Sequence, residues 1–286
     1  MIDFFNSIIT RQFGWVLEQL YLFIGSYGVA LILFTIFSKL ILLPFQMKSK
    51  KSTLGMQRIQ PKMKELEKKY KNNKEQYAAA VQKLYKEENV SMAGGCLPLL
   101  ITLPIMLGLY AVVRQPLTYM FGCTADQISA LAKIVGITLQ GSANNFEIQI
   151  ASMLSGFRDQ VAAILPNLPI VDFHFLGINL AEVPSFSQFN ILWIIPILSG
   201  LTSLGYSLIM KQYQPAPAAG DQAAGMNKMM TYMMPIMSTY IAFVVPAGLG
   251  FYWIISNILM AAQEPLLTKY YQNKEAKKAG ANNGKA

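Results

Sequence analysis

Long apolar stretches, separated by short charged or polar segments, form the main pattern along this chain. Residues 20–45, 97–113 and 191–210 each carry at most one charge. A helix needs about 20 mostly apolar residues to cross about 30 Å of hydrocarbon. Each of the three stretches therefore predicts one membrane-spanning helix.

A fourth apolar stretch is too long for a single span. Residues 229–263 contain no charge for 35 positions, which as one helix would extend about 52 Å. A proline and two glycines at positions 246, 248 and 250 lie near its middle, and these residue types interrupt helices. The pattern predicts two spans, 229–245 and 249–267, joined by a tight turn. The fold class expected is thus an all-α polytopic membrane protein with five spans.

Helical spacing also appears in two segments outside the predicted spans. In residues 1–19 apolar residues recur every three or four positions, which predicts an amphipathic helix lying at the outer membrane surface. This segment lacks a basic start, a small-residue cleavage site and a cysteine for a lipid anchor. We therefore expect it to be kept, and not removed as a signal peptide.

Residues 46–93 carry two heptad-like runs that predict an antiparallel helical hairpin. The first run is Met56, Ile59, Met63, Leu66 and Tyr70, and the second is Tyr77, Val81 and Leu84. Two asparagines separate the runs, and Pro61 is expected to start or kink the first helix.

The distribution of basic residues predicts the orientation. The chain has 24 Lys+Arg against 15 Asp+Glu. Residues 46–93, the link 211–228 and the tail 268–286 together hold 19 of the bases, and only four fall on the other side. The positive-inside rule then places the N-terminus outside and the C-terminus in the cytoplasm.

Two basic segments leave alternatives open. The hairpin has twelve bases and five acids; it is either a solvated face near anionic lipid or a mobile arm that meets lipid headgroups or incoming chains. The tail from residue 269 has five lysines and is expected to be disordered. Its role is either topology and lipid contact or ribosome binding through RNA phosphates.

The outer segment, residues 114–190, suggests no function. One helix is predicted near residues 150–164, and prolines interrupt the residues after it. His174 is the only histidine of the chain, and we expect it to be structural. Cys96 and Cys123 lie about 40 Å apart along a helix, so a disulfide between them is excluded.

Lys39 is the one charge deep inside a predicted span, since Glu264 lies close to the inner end of the fifth. A lysine there costs roughly 2.5–3.5 kcal/mol on insertion scales, so it usually faces a bundle interior or a watery cavity. One interpretation is snorkelling, since the inner end of the span lies about 9 Å away. The other is a hydrated groove, because polar residues lie at comparable depths in the other spans. These are Thr35, Ser38, Thr102, Thr202, Ser203, Tyr206, Ser256, Asn257 and Gln263.

The composition and the missing motifs exclude several function classes. With 53% hydrophobic and 14% charged residues, the chain is neither a soluble enzyme domain nor disordered. It has no phosphate-binding loop, no intramembrane histidine, no paired carboxylates and no nucleophile elbow. We predict no catalytic, metal-binding or cofactor-binding residues and no enzyme activity. Glu264 is the nearest acidic residue that could neutralise Lys39.

Several motifs resemble those of the YidC-type membrane protein insertases, a family with mitochondrial and thylakoid relatives. The similarity covers nearly all five predicted spans. Its motifs are Tyr27-Gly28, residues 39–44, 56–70, 93–104, 196–202, 233–237 and 246–248, and Tyr-Trp-Ile-Ile-Ser-Asn at 252–257.

The resemblance implies a bundle that encloses a hydrophilic groove, open to the cytoplasm and to lipid and closed outside. Lys39 stands where bacterial relatives usually have arginine, which keeps the charge but loses bidentate pairing. Thr102 stands where relatives often carry glutamine. Nascent membrane proteins are the implied clients, with the Sec translocon and the ribosome as further partners in a bacterial plasma membrane.

The expected function is therefore a membrane protein insertase that works without nucleotide hydrolysis, cofactor or DNA. A structural assembly factor for membrane complexes is the main alternative. A small-solute transporter is a weaker one, because such folds usually contain repeated halves and none is visible in this sequence.

Overall fold

Helices make up most of the chain. The computed structural model describes residues 10–71, 73–88, 90, 97–138, 146–213 and 221–283. The helices are α1 (Arg11–Ile24), α2 (Tyr27–Lys69), α3 (Lys74–Glu87), α4 (Leu97–Arg114), α5 (Pro116–Tyr119), α6 (Ala125–Ile134), α7 (Glu147–Met153), α8 (Arg158–Ile164), α9 (Ile194–Tyr213), α10 (Asp221–Ala242) and α11 (Ala247–Asn283). The same ranges also contain two 3₁₀ helices, Leu154–Phe157 and Ile191–Trp193, and two strands, β1 (His174–Phe175) and β2 (Ile178–Asn179).

The long apolar helices are compatible with a membrane protein. In the described part of the chain, the helical stretches Tyr27–Lys69 and Ile191–Tyr213 are long and apolar enough to cross a bilayer. Pro104–Arg114 is a shorter apolar helix. The five-span arrangement stays a prediction.

The first helix break lies later than predicted. The sequence pattern ended the surface helix at residue 19 and began the span at residue 20, whereas α1 continues to Ile24. Gly25 ends it with φ 75° and donates its N–H to the carbonyl of Tyr21, the left-handed cap that glycine adopts at little cost. Apolar residues continue on both sides of this cap, so hydropathy could not locate the break. Residues 1–9 lie outside the described ranges.

The span and the first hairpin arm form one continuous helix. Helix α2 runs for 43 residues and includes both Pro44 and Pro61. Contrary to one of the two predicted outcomes, Pro61 does not start a helix. A proline within a helix removes one hydrogen bond, yet the helix continues through both positions.

Helix α3 packs antiparallel on the second half of α2. Asn73 caps α3 by accepting a hydrogen bond from the Gln76 N–H, which fits the predicted turn. Ile59, Met63 and Leu84 form a small buried core between the two arms. This core lies in the second of two compact units, which comprises the described residues of Lys39–Leu100, Gly200–Met237 and Asn257–Ala286.

The first unit contains the main hydrophobic core. It comprises the described residues of Met1–Ser38, Ile101–Ser199 and Ser238–Ser256. The Tyr27 and Phe173 rings meet there with centroids 4.7 Å apart, and β1 pairs antiparallel with β2. Leu176 (φ 52°) and Gly177 (φ 80°) form the two-residue turn of that hairpin, as a type I′ turn requires.

The helix predicted near residues 150–164 is divided into three pieces. Helix α7, a 3₁₀ turn and α8 succeed one another, with Gly156 in the 3₁₀ turn. Glycine is a poor helix former, and the tighter turn changes which positions point inward. Leu154 and Val161 are consequently buried, while Met153 and Ile164 are 44% and 45% exposed.

The long apolar stretch is interrupted between Ala242 and Ala247. Pro246 directly precedes α11, but Gly248 and Gly250 lie inside that helix instead of in the turn. A Cβ atom at Gly250 would come within 2.5 Å of Ile195 Cγ2. The glycine thus allows α9 and α11 to approach each other. The prediction that Gly250 interrupts the helix is wrong, because its role is in helix packing.

The C-terminal tail differs from its prediction as well. Residues from 269 onward were expected to be disordered, whereas α11 continues to Asn283. The Tyr271 hydroxyl donates to the Met47 carbonyl at 3.0 Å, and the alanine, lysine and glutamate residues beyond Tyr271 favour a helix. Charge and small residues alone were therefore a poor indicator of disorder here.

Candidate functional site

One face of α2 is protein-facing over most of the predicted span. Buried positions recur every three or four residues, and the opposite face is apolar and open, with Leu40 and Ile41 61% and 52% exposed. The buried stripe comprises Tyr27, Ala30, Leu31, Phe34, Thr35, Ser38, Lys39, Leu42, Ser49 and Lys50. This 3.6-residue period is that of a helix with one face in lipid and one against protein.

Lys39 belongs to the buried stripe. Its side chain is 8% exposed, and it makes no ion pair or hydrogen bond within the described residues. The opposite face of the helix is apolar and exposed. The lysine thus lies on the protein-facing side of α2, and both the groove and the snorkelling interpretations stay predictions.

The first unit holds three other predicted groove residues. Thr35 and Ser38 are 0% and 5% exposed, and both hydroxyls bond back to their own helix, to the carbonyls of Leu31 (2.7 Å) and Thr35 (2.8 Å). Ser256 is also buried. Hydroxyls satisfied in this way can accept a further bond but are not free donors.

The second unit joins two of its predicted residues across helices. Asn257 Nδ2 donates to Thr202 Oγ1 at 3.4 Å, which links α11 to α9. Ser203 and Tyr206 are partly buried on α9. The side chain of Thr102 lies outside the described residues.

A polar cluster between α2 and α11 was largely missed by sequence analysis. Gln263 Nε2 donates to Gln46 Oε1, and the Lys50 ammonium pairs with the Glu264 carboxylate. The side chains of this ion pair are only 5% and 12% exposed. We call Gln46, Lys50, Gln263 and Glu264 the α2–α11 polar cluster.

Helix α9 contributes to the same region through Tyr213. The Lys50 ammonium lies 5.7 Å from the centre of the Tyr213 ring, within range of a cation–π interaction. Gln57 Nε2 donates to the Tyr213 carbonyl. The three helices α2, α9 and α11 are thus held together by polar contacts within the second unit.

Helical spacing could have indicated part of this cluster. Gln46 and Lys50 come after Lys39 at intervals of seven and eleven residues, which keeps all three on one face. Glu264 was considered only as a partner for Lys39, yet it pairs with Lys50. The charge count alone assigned Lys50 to a solvated hairpin, so its burial went unnoticed.

The hairpin arms are also linked by charge. The Glu88 carboxylate pairs with Lys62 and with Arg58, the latter at 3.5 Å. The Lys62 hydrogen bond and charge lower the pKa of Glu88 below its usual value. Most lysines of the hairpin remain at the surface, as either interpretation of this arm requires.

A buried carboxylate lies in the outer segment of the first unit. Glu147 is 0% exposed and accepts hydrogen bonds from the Thr118 N–H (2.9 Å) and hydroxyl (2.8 Å). Burial raises the pKa of Glu147, and the Thr118 bonds oppose that shift. Burial also raises the pKa of the Cys123 thiol to about 11, so this cysteine is unreactive as a thiolate near neutrality.

Metal chemistry has no visible support in the described ranges. No group of three or more His, Cys, Asp or Glu side chains there could hold a metal ion. The candidate site offers a buried ammonium that has no ion-pair partner among the described residues, one buried ion pair and several amides and hydroxyls.

Comparison with known proteins identifies relatives over most of the chain. The model of a family described as 60Kd inner membrane protein matches residues 19–275. A protein of Nitratidesulfovibrio vulgaris named Membrane protein insertase YidC is 30% identical over 258 residues, covering 90% of this chain and 38% of that protein. Proteins of the same name from Treponema denticola (29% over 269 residues; 93% and 38%) and Francisella tularensis subsp. novicida (27% over 272 residues; 95% and 37%) are also similar.

The chain thus spans under two-fifths of the length of these relatives. The matched part includes α2, α9, α10 and most of α11, and so all residues of the candidate site.

Proposed function

Since this chain belongs to the 60Kd inner membrane protein family, that of the YidC-type proteins, we propose that it is a membrane protein insertase. In this proposal it takes the hydrophilic flanks of client proteins into a cationic groove and releases their helices into the bilayer. The curated relatives carry the name of that activity. Nucleotide hydrolysis is not part of the mechanism.

The observation that carries the proposal is the position of Lys39. Its side chain is 8% exposed on the protein-facing stripe of α2 and has no acidic partner among the described residues. A charge so placed is costly and is best explained by a function. An acidic segment of a client would supply the missing counter-charge.

The groove addresses the costly part of insertion. A client helix enters lipid readily, but moving several flanking charges through hydrocarbon costs on the order of 10 kcal/mol. Water and one ammonium partway into the membrane shorten the distance over which these charges pass through hydrocarbon. The membrane potential adds roughly 2.3 kcal/mol per negative charge per 100 mV, so acidic flanks gain most.

The finer arrangement belongs to the same proposal. Five spans would surround the groove, with the N-terminus outside and the C-terminus in the cytoplasm. Thr35, Ser38, Thr102, Thr202, Ser203, Tyr206, Ser256, Asn257 and Gln263 would line the groove with Lys39. The basic hairpin and the C-terminal part of α11 would meet anionic lipids, the ribosome and the Sec translocon.

The test is insertion into liposomes that contain only the purified protein. We expect Lys39→Ala to slow insertion of a single-span client with an acidic tail by about tenfold or more, because a charged hydrogen bond contributes about 1.5–3 kcal/mol. Lys39→Arg should retain activity. Lys48→Ala, which removes an exposed lysine from the same helix, is the matched control and should act as wild type.

Two results would contradict the proposal. Normal insertion by a folded Lys39→Ala protein would rule out a charge-dependent groove. No insertion by the wild-type protein alone, with client stability nevertheless improved in its presence, would favour a structural assembly factor instead.

A further inference from the structure

Five aromatic side chains form a cluster where the loop before α9 meets the end of α10. Phe186 stacks on Phe243 with ring centroids 3.9 Å apart, and Trp193 meets Phe243 at 4.9 Å and Phe189 at 5.1 Å. Tyr240 lies 6.4 Å from Phe186. We call Phe186, Phe189, Trp193, Tyr240 and Phe243 the aromatic collar; all five belong to the first unit.

The rings of the collar are unusually open for such large side chains. Phe189 is 84% exposed, Tyr240 59% and Phe186 57%. Phe243 is buried beneath them. A contiguous exposed patch of this kind marks a surface that meets another apolar phase or molecule.

The collar lies at a change from polar to apolar residues along the chain. The loop that carries Phe186 and Phe189 also carries Ser185, Ser187 and Asn190, whose side chains bond within the loop and cap the following 3₁₀ helix. The chain then continues into exposed aliphatic residues of α9, including Ile194 and Ile197, each 46% exposed. Such a change from polar to apolar residues is expected where a membrane protein passes from water into lipid.

The tryptophan of the collar is held in one orientation. Its Nε1–H donates to the carbonyls of Ser185 (2.9 Å) and Gln188 (3.1 Å). The indole therefore needs no donor or acceptor from a partner, and the loop fixes its ring against Phe243. A partner molecule would therefore only have to cover the apolar surface of the exposed rings.

We propose that the aromatic collar binds the interfacial layer of the lipid bilayer and sets the depth at which α9 and α10 sit. Aromatic rings prefer that layer, between the headgroups and the acyl chains. Lipid is the occupant because the collar is continuous with the exposed apolar face of α9, which a lipid layer must cover in an inner membrane protein. The role is separate from client insertion.

The test uses Trp193 as the only tryptophan, excited at a wavelength that tyrosine does not absorb. The chain has three tryptophans, so Trp15→Phe with Trp253→Phe leaves Trp193 alone; Trp253→Tyr is the substitute if the phenylalanine variant does not fold. The protein is reconstituted in phosphatidylcholine and phosphatidylglycerol vesicles. Quenchers are placed at the headgroup, at the start of the acyl chain and at the chain end.

We expect quenching to be strongest from the headgroup or the start of the chain and weakest from the chain end. Phe189→Ser should weaken the shallow quenching, whereas Leu176→Ser, an equally exposed residue (82%) outside the collar, should leave it unchanged. Strongest quenching from the chain end would overturn the proposal. So would the absence of quenching at every depth, which would mean that protein and not lipid covers the rings.

Discussion

Lys39 is the residue on which the proposed mechanism depends. It is buried on one face of α2, and arginine is the residue that the family resemblance leads one to expect there. Lysine supplies a point charge without the planar fork of a guanidinium. The proposed mechanism requires only that a positive charge at position 39 attracts an acidic client segment; it does not require bidentate pairing. Since arginine carries the same charge, we expect Lys39→Arg to be tolerated.

A second residue-scale prediction concerns Tyr27. Its hydroxyl is buried and has no hydrogen-bond partner in the described part of the chain, a situation that costs about 1–3 kcal/mol. Tyr27→Phe should therefore raise the thermal unfolding midpoint of the detergent-solubilised protein.

Tyr21→Phe is the control for that experiment. The Tyr21 hydroxyl donates to the Ile170 carbonyl (3.3 Å) and accepts from the Asp172 N–H (3.1 Å). Its removal should lower the midpoint. A lower midpoint for Tyr27→Phe as well would show that the Tyr27 hydroxyl has a partner in solution.

Single residues were predictable where their chemistry conflicts with their surroundings. Lys39 could be identified because a charge in an apolar stretch has few explanations. Helical spacing places Gln46 and Lys50 on the same face as Lys39, but it could not predict their burial, since they lie among other polar residues and only the three-dimensional packing buries Lys50 against Glu264. Glu147 was equally hidden, because a glutamate in a polar outer segment is usually exposed.

At the scale of elements, the Lys50–Glu264 ion pair should hold α2 and α11 together. Breaking a buried pair leaves one uncompensated charge and costs about 3–5 kcal/mol. Lys50→Ala and Glu264→Ala should each destabilise the protein strongly. The double variant should lose less free energy of unfolding than the two single variants lose in sum. Chemical unfolding in detergent micelles measures these free energies.

The exposed pair Lys83–Glu87, with side chains 78% and 59% exposed, provides the comparison. Its double-mutant cycle should give a coupling of about 0.3–0.5 kcal/mol. Equal coupling energies for the two pairs would mean that Lys50 and Glu264 are solvated in the membrane-embedded protein.

Close backbone packing of α1 gives another element-scale prediction. A Cβ atom at Gly14 would lie 1.9 Å from the Tyr119 carbonyl oxygen, whereas one at Gly205 in α9 would meet nothing within 4 Å. Gly14→Ala should therefore destabilise the protein. Gly205→Ala should be neutral or stabilise it by up to about 1 kcal/mol; similar unfolding midpoints for the two variants would show that α1 does not pack on Tyr119.

Element types were easier to predict than element ends. Apolar length and heptad spacing indicated the helices of the spans and the hairpin. Their boundaries depended on a left-handed cap at Gly25 and on a helical tail stabilised by Tyr271, and neither has a signature in hydropathy. The glycines in α11 were misjudged because the same residue type serves turns and close helix packing.

At the scale of the whole molecule, stability should depend on pH through Glu147. Burial raises its pKa above the ordinary value of 4.5, so the folded state holds the proton more tightly than the unfolded state. The free energy of unfolding contributed by this group therefore falls as the pH rises from 4.5 through the raised pKa.

Glu147→Gln should remove this dependence. The amide oxygen can still accept from the Thr118 N–H, and the variant should gain stability relative to wild type across that pH window. Asp172→Asn should show the opposite sign in a lower pH range, because hydrogen bonds from His174 lower the pKa of Asp172. The stability that Asp172 contributes is present above its ordinary pKa of 3.8 and is lost as the pH falls below it. A wild-type minus Glu147→Gln difference that is flat with pH would contradict the assignment.

The family was recognisable from the sequence because its motifs lie in the spans and in the hairpin, and the family model matches residues 19–275. The groove itself was not derivable in the same way. Its proposed lining comes from helices far apart in sequence, and only the placement of each side chain decides which polar residues turn inward.

The measurement that tests the central claim most directly is a charge swap between Lys39 and the client. Two single-span clients that differ only in an acidic or a basic tail are offered to liposomes containing wild-type or Lys39→Glu protein, without nucleotide or membrane potential. We expect wild type to insert the acidic-tailed client faster and Lys39→Glu to reverse the preference. Equal insertion of both clients by both proteins would contradict a cationic groove centred on Lys39.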